Sequence, residues 1–534
     1  MSRIIQQSRA GKRASELTGL DAICAQYPFL QQEWNDRAIV HVNSAATSQI
    51  PLIVDARVTQ AAGLGYENVH RGHSRLSQNA SHSYELAHKT VEQLLNAEEG
   101  SVFFTGNTTL GLNTVLHSVA EYQKAHGMWD DGHGGEGGAL VTTESEHSSS
   151  VVPMQQLAEK FGLRMVYLST GKWTGTLYEV RPSDIPNDTR ILAVTHASNV
   201  TGAITPVAVI GRMLRNKCPN AFYLVDGAQT APRLPINVQE LDALDAFVGA
   251  GHKITGPATS FVYMKPEWIQ ELTPPFLGGG TVTDVTHDGA TLVQGIEKWE
   301  PGTPNILGAV ALDAGIRFNV LCGIGHLEKS PERRDTLLRS LESQELQALA
   351  GLPEPELARG LHTYLFGDDE PPAEKMAAYY TTLAEGRPLD LDRFELTHGQ
   401  DLPQPLVERA MENIFIHELE LYNLLMSEIL DVENVGLVGE AYESPHVGVI
   451  SVIPKHGSVE KLARRLDERA IETREGCHCA HILIRKLCHL LGQEGDSGNR
   501  RQGTVRFSLD KYNTREDMIA IGEALREIRE EDEQ

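Results

Sequence analysis

Short apolar runs alternate with longer helix-like stretches between about residues 100 and 265. Ser101-Val102-Phe103-Phe104, Ala139-Leu140-Val141-Thr142, Ile191-Leu192-Ala193-Val194, Phe222-Tyr223-Leu224-Val225 and Ala246-Phe247-Val248-Gly249-Ala250 are unbroken by charge. Runs of that length suit strands buried on both faces. Their alternation with helix-like segments predicts an α/β fold with a mostly parallel sheet. Gly127 to Gly138 reads as a loop. From about 330 to 412 the character changes. Pro353, Pro355, Pro371 and Pro372 among many acids predict an inserted region of helices and loops. Beyond it lie an amphipathic stretch (Ile414 to Leu430), strand candidates Val447 to Ile453 and Thr504 to Leu509, and a charged closing helix from Arg515. These predict a smaller C-terminal α/β domain. The expected division is an N-terminal arm (1–37), a large domain (38–325), an insertion (326–412) and a small domain (413–534). The chain shows no internal repeat.

A length of 534 residues agrees with two or three domains. The formal charge of −25, from 47 basic and 72 acidic residues, argues against nucleic-acid binding. No apolar run is expected to reach the ~20 residues of a membrane span, so no membrane partner is expected. Arg3, Arg9, Lys12 and Arg13 precede the first acid, Glu16, without the apolar core of a secretion signal. They read as a basic arm, and organelle targeting stays open. Six cysteines in a chain this long make no disulfide scaffold, which points to a reducing cytoplasm.

The chemistry sits at predicted strand ends. One run ends in Asp226, within Asp226-Gly227-Ala228-Gln229; another leads into Gly251-His252-Lys253. A carboxylate and an amine so placed suit pyridoxal phosphate (PLP), whose pyridine nitrogen needs an acid and whose aldehyde needs a lysine. Thr105-Gly106-Asn107-Thr108-Thr109 follows a strand and opens a helix, as a phosphate site would, although Thr is also a common N-cap. Glu146-His147 follows another strand, and its imidazole could lie over a flat ring.

Taken together, these runs resemble the class V aminotransferase family of fold type I PLP enzymes, nearest its cysteine desulfurase and selenocysteine lyase branch. The resemblance covers most of 38–325 and 413–530. It is carried by Asn43-Ser44-Ala45-Ala46-Thr47, Asn68-Val69-His70-Arg71-Gly72, Glu146-His147, Ser198-Asn199-Val200-Thr201-Gly202, Asp226 to Gln229, Gly251 to Lys253, Gly278-Gly279-Gly280, Gly302-Thr303-Pro304-Asn305, Arg506-Phe507-Ser508-Leu509 and Tyr512-Asn513-Thr514. It implies the following roles. Lys253 holds PLP and Asp226 pairs with the pyridine nitrogen. His147 stacks on the ring, and Asn199 and Gln229 contact its phenolic oxygen. Thr108, Thr109 and His252 hold the phosphate. Thr303 reaches the phosphate of a neighbouring subunit, which implies a homodimer. Arg506 clamps the substrate carboxylate, with Ala45 also at the substrate.

Arg474-Glu475-Gly476-Cys477-His478-Cys479-Ala480-His481 resembles the family's active-site loop, with Cys479 at the position of the reactive cysteine. Histidines and an arginine beside a thiol favour the thiolate. Cys477, Cys479, His481, Cys488 and His489 also raise the question of zinc, but no paired C-x2-C spacing is present, and no metal is expected. The chain departs from the family at Ala250, where a serine is common, and at Ser44, Asn107 and His73. Cys477 is an added thiol, and Glu494 to Arg501 lengthens the path to Arg506.

The expected function is a PLP-dependent cysteine desulfurase that turns L-cysteine into L-alanine and leaves a persulfide on Cys479, with a sulfur-acceptor protein as possible partner. The alternatives are another class V enzyme (aminotransferase, epimerase, or C–S or C–Se lyase such as selenocysteine lyase) with Cys479 incidental, and a non-catalytic scaffold acting through residues 330–412.

Overall fold

The computed structural model describes residues 17–70, 72–129, 137–171, 177, 179–367, 378, 381, 382, 384, 385, 387, 397–439, 445–490 and 503–533. The basic arm to residue 16, Arg71, the middle of the Gly127–Gly138 loop, Pro371, Pro372 and the Glu494–Arg501 stretch lie outside the described residues.

Seven strands form the main sheet: β1 (Val102–Thr105), β2 (Ala139–Thr143), β3 (Arg164–Leu168), β4 (Thr189–Thr195), β5 (Phe222–Asp226), β6 (Ala246–Gly249) and β7 (Ser260–Met264). Their order is β1-β7-β6-β5-β4-β2-β3. Only β7 runs against its neighbours, and the others share one direction. The α/β expectation therefore holds, including a mostly parallel sheet.

The expected strands are found with ends shifted by a residue or two, and both faces of the sheet are covered. Phe103, Leu140, Ile191, Phe222, Leu224 and Val248 pack under α2 (Thr108–Ala125) and α3 (Ser148–Phe161). Val102, Phe104, Val141, Leu192, Tyr223 and Phe247, the alternate positions, pack with α1 (Arg75–Leu95) and α5 (Ile306–Val320). Two-sided burial explains why these strands read as continuous apolar runs. A short turn of helix, α4 (Gly251–Ile254), follows β6 and carries Lys253.

One sequence expectation is corrected. Ile306–His326 is long and apolar enough to pass for a membrane span, with mean hydropathy 1.5, and 94% of that window is buried inside the protein. It is the central core helix, hydrophobic all round because it is packed all round. Helices from the Pro-rich region, Pro331–Ser340 and Glu354–Phe366, share its core through Leu338, Leu357, Leu361 and Leu365.

A second, antiparallel sheet is built from β8 (Val435–Val438), β9 (Val449–Pro454), β10 (Arg474–Gly476) and β11 (Thr504–Ser508), in the order β8-β9-β11-β10. Helices α6 (Gln404–Leu430), α7 (Val459–Asp467) and α9 (Arg515–Glu533) cover it, with Leu425, Leu462 and Leu525 in one cluster with Phe507 of β11, while α8 (His481–Leu490) packs on Val438 and Ile453. The turn after β4 touches this second sheet. Gly202 has φ +76°, and a Cβ there would lie 2.6 Å from the Val449 carbonyl oxygen. Only glycine permits both the left-handed backbone and the close approach. That contact fixes Asn199 between the two sheets.

Candidate functional site

The six like-directed strands all point their carboxyl ends at one place, where α/β sheets commonly bind ligands. Asn107 caps α2 by accepting the Leu110 N–H at 3.0 Å. The buried Thr108 hydroxyl lies 3.5 Å from the carbonyl of Gly249 at the end of β6, and exposed Thr109 pairs with Ser149 at 2.6 Å. Both hydroxyls thus lie in the first turn of an 18-residue helix, close to the chain entering α4. His252 is half-buried. Its carbonyl accepts the Ser48 N–H at 3.0 Å and the Thr47 hydroxyl at 3.1 Å. Burial and then Lys253 push its imidazole down to about 4.

His147 is the N-cap of α3. Its Nδ1 accepts the Ser149 N–H at 3.1 Å. Burial pulls the imidazole down to about 4, helped by Lys253, Arg474, Arg506 and His481, so the ring is neutral near pH 7. Asp226 is buried at the end of β5, and its Oδ1 accepts the Ala228 N–H at 2.9 Å. Burial raises its pKa, opposed by that N–H and by Lys253. Burial also pulls the Lys253 amine down to about 8, with Arg506, Arg233 and Arg474 adding to the effect and Asp226 opposing it.

Arg506 lies on β11 and is 1% exposed. Its Nη1 donates to the Asn199 carbonyl at 3.0 Å, and its Nη2 to Asn43 Oδ1 at 3.4 Å. Its buried Nε has no protein partner among the described residues. A buried guanidinium with an unused donor suits a carboxylate. Arg506→Lys is therefore expected to weaken amino-acid binding by about 5–150-fold, a loss of ~1–3 kcal/mol, while PLP binding stays nearly unchanged. Spectral titration with substrate and with PLP checks this, and equal affinity for substrate removes Arg506 from the carboxylate site.

The cysteine loop enters from the second sheet. Asn199 Nδ2 donates to the His478 carbonyl at 2.7 Å. The N–H and the hydroxyl of Ser148 both donate to the Cys479 carbonyl, each at 2.7 Å. His478 and Cys479 are left-handed, at φ +48° and +58°. For non-glycine residues that conformation costs roughly 1–2 kcal/mol each, so the surrounding contacts must hold it. Cys479 is close enough to Arg506 to favour that residue's charged form. The helix after the loop is latched as well: Lys486 pairs with Glu144, just ahead of His147, and donates to the Thr170 carbonyl at 2.8 Å.

The remaining expected residues sit as follows. Gln229 donates to the Ala45 carbonyl at 3.1 Å and accepts from Arg233 at 3.2 Å. Ala45 is 3% exposed, and its N–H donates to Ser508 at 2.9 Å. It braces Gln229 against the second sheet through its backbone. Thr303 is exposed and lines a different cavity, with Thr105, Gly106 and Asn305. Lys253, Asp226, His147, Asn199, Cys479 and Arg506 are thus joined by contacts or direct electrostatics, and Thr303 stands apart. Among the described residues no group of His, Cys, Asp or Glu could hold a metal ion.

Three residues were given no role of their own by the sequence. Asn43, rather than Ala45, faces Arg506. Arg233 is fully buried and bonds Glu418, Gln229 and Ser44 at 3.1, 3.2 and 2.7 Å. It ties α6 and the N-terminal segment to the loop after β5. Glu146 accepts from Thr143 and from the Thr195 N–H, both at 2.7 Å. Burial lifts it to about 8, with Asp226 contributing, so it is mostly protonated beneath the ionisable pair. No spacing rule in one sequence links Arg233 to a glutamate 185 positions away.

The aminotransferase class-V family model matches residues 40–362 and 406–521. The chain belongs to that family. It is an enzyme with the fold type I architecture, and its cofactor is PLP. A probable cysteine desulfurase of Halalkalibacterium halodurans is 33% identical over 385 residues, 72% of this chain and 88% of that protein. A probable cysteine desulfurase of Aeropyrum pernix is 27% identical over 498 residues, 92% and 95% of the two chains. The solved apo structure of a cysteine desulfurase from Thermococcus onnurineus superposes with TM-score 0.66 at 26% identity, covering 92% of this chain and 94% of that one.

Proposed function

We propose that the protein is a cysteine desulfurase, transferring sulfur from L-cysteine to Cys479 and releasing L-alanine. One observation carries this reading beyond the family: the loop of Cys479 is held against the lysine site by Ser148, the neighbour of His147, and by Asn199. The residues fit PLP. Lys253, Arg506, Arg474 and Arg233 make the site electropositive in a chain of net charge −25, as a phosphate and a carboxylate require. The same reading takes 38–325 as the cofactor-binding unit and 413–534 as the unit carrying the cysteine loop. It also takes the protein as a cytoplasmic homodimer, completed by Thr303 across subunits, which passes sulfur to an acceptor protein.

When bound, PLP supplies an electron sink for the carbon beside the substrate's amine. Lys253 would hold PLP, take the proton from that carbon and later return a proton to the product. Asp226 would keep the pyridine nitrogen protonated. Neutral His147 would lie over the ring without adding charge. Arg506 would orient the substrate by its carboxylate. Cys479 would attack the substrate sulfur: a new S–S bond forms, the C–S bond breaks, and its electrons pass to the carbon skeleton. Protonation of that skeleton gives alanine.

Incubating the PLP-loaded protein with L-cysteine and a reductant should give sulfide and alanine in equal amounts. Pyruvate, or a keto acid from transamination, in place of alanine would overturn the reading.

The lowered Lys253 value makes a further expectation. A neutral amine is the form that attacks an aldehyde. At pH 7 about a tenth of an amine titrating near 8 is neutral, against a few parts in ten thousand for an ordinary lysine. PLP uptake by the cofactor-free protein should therefore speed up with rising pH, with a midpoint near 8. Absorbance on mixing at a series of pH values measures it, and a rate flat from pH 6.5 to about 9.5 would exclude Lys253 as the titrating group.

A further inference from the structure

We propose that Cys477 is a second sulfur-carrying thiol, which takes the outer sulfur from the persulfide on Cys479 and moves it away from the cofactor site; the proposal rests on the desulfurase reading above. The need for such a step comes from how firmly Cys479 is fixed. Its own carbonyl and that of His478 accept three hydrogen bonds from Ser148 and Asn199, each 2.7 Å long. Carrying the Cys479 backbone outward gives up all three. A nucleophile on a backbone held that way suits attack on a bound substrate, and a second half-buried thiol two residues away can carry the sulfur onward without moving that backbone.

Cys477 stands on the same turn. The Ala480 N–H donates to the Cys477 carbonyl at 2.8 Å, closing residues 477–480 into a single turn with Cys479 inside it. The two side chains face different surroundings. Cys479 interacts with Arg506, whereas half-buried Cys477 packs against the cluster formed by Ala480 and by Leu483, Leu487 and Cys488 of α8. The exposed Arg485 favours the thiolate of Cys477, although burial outweighs it and raises that thiol overall. The next thiol, Cys488, is fully buried beside Cys477 and accepts the Gly503 N–H.

Spacing also favours transfer over cross-linking. A disulfide spanning one residue is strained, because its sulfurs must come within about 2 Å. In-line transfer places three sulfurs in a row, so the two cysteine sulfurs need only approach to roughly 4 Å, two S–S lengths. In that step the Cys477 thiolate attacks the outer sulfur of the Cys479 persulfide. An S–S bond forms at Cys477, the bond to Cys479 breaks, and Cys479 leaves as thiolate. The proton lost by Cys477 is regained by Cys479. One persulfide is exchanged for another, and no external oxidant or reductant takes part.

The test rapidly mixes PLP-loaded full-length protein with L-cysteine and quenches with acid and alkylating agent at the end of the first burst, before the thiol of free L-cysteine can strip the persulfides. Alanine is counted, and the fragment 475–485 is alkylated and sequenced by tandem mass spectrometry. Wild type should release about two alanines per subunit and carry sulfane sulfur on both Cys477 and Cys479, because transfer frees Cys479 for a second turnover. Cys477→Ser and Cys477→Ala should release about one and carry sulfur on Cys479 alone, with the cofactor's absorbance band intact to show that they fold. Cys488→Ser should behave as wild type. A single alanine with sulfur confined to Cys479 in wild type, or about two alanines from the Cys477 variants, overturns the relay and leaves the desulfurase reading standing. No alanine from wild type overturns that reading and the relay with it.

Discussion

Lys253→Ala is expected to lower turnover of L-cysteine by about 10³-fold or more. Two losses combine. The amine that would hold PLP is gone, and so is the base that would take the substrate's α-proton. The groups closest to it are poor substitutes at neutral pH. His147 and His252, both pulled down to about 4, are too weak as bases. Buried Glu146, near 8, is mostly protonated. Arg506, lowered by burial only to about 9, stays charged. The variant should fold, because Lys253 lies on a four-residue helical turn and alanine favours that conformation. Steady-state rates with saturating PLP and L-cysteine check it, and activity within tenfold of wild type would show that another residue is the base.

How much of this could be read from the chain differs between backbone and site. The five apolar runs from Val102 to Gly249 were legible because two-sided burial leaves no polar alternation to interpret. The direction of β7 was not, since an apolar run such as Ser260 to Met264 carries no sign of which way it runs. Nor could composition tell the core helix at Ile306 from a membrane span, because both are apolar all round, and only the packing of its neighbours decides. In the site, Asp226 and Lys253 were visible as polar ends of apolar strands. His147 and Asn199 stood out only weakly after their strands, and Thr303 and Arg506 came forward only through family resemblance, since single polar residues in turns are common. The hub at Arg233 was invisible because it joins Ser44, Gln229 and Glu418 from three separate stretches. The left-handed backbone at His478 and Cys479 was hidden for another reason. Neither residue favours that conformation, so the contacts from Ser148 and Asn199 impose it.

Cys479→Ser is expected to lower sulfide and alanine formation from L-cysteine by roughly 10²-fold or more while leaving substrate binding in place. The two halves of this expectation have separate causes. The rate falls because sulfur must be taken by a soft, anionic nucleophile, and a serine hydroxyl remains protonated near neutral pH. Binding survives because the loop's hold on the site runs through the carbonyls of His478 and Cys479, which serine keeps. Arg506 also keeps Asn199 and Asn43. The change in cofactor absorbance on adding L-cysteine should therefore appear in the variant at nearly the wild-type concentration, followed by little product. L-selenocysteine separates the remaining alternative. If the protein is a lyase in which Cys479 is incidental, Cys479→Ser will consume both amino acids at nearly wild-type rates. If Cys479 accepts the sulfur, the variant will lose far more activity on L-cysteine than on L-selenocysteine, since selenium can depart with less help from a nucleophile.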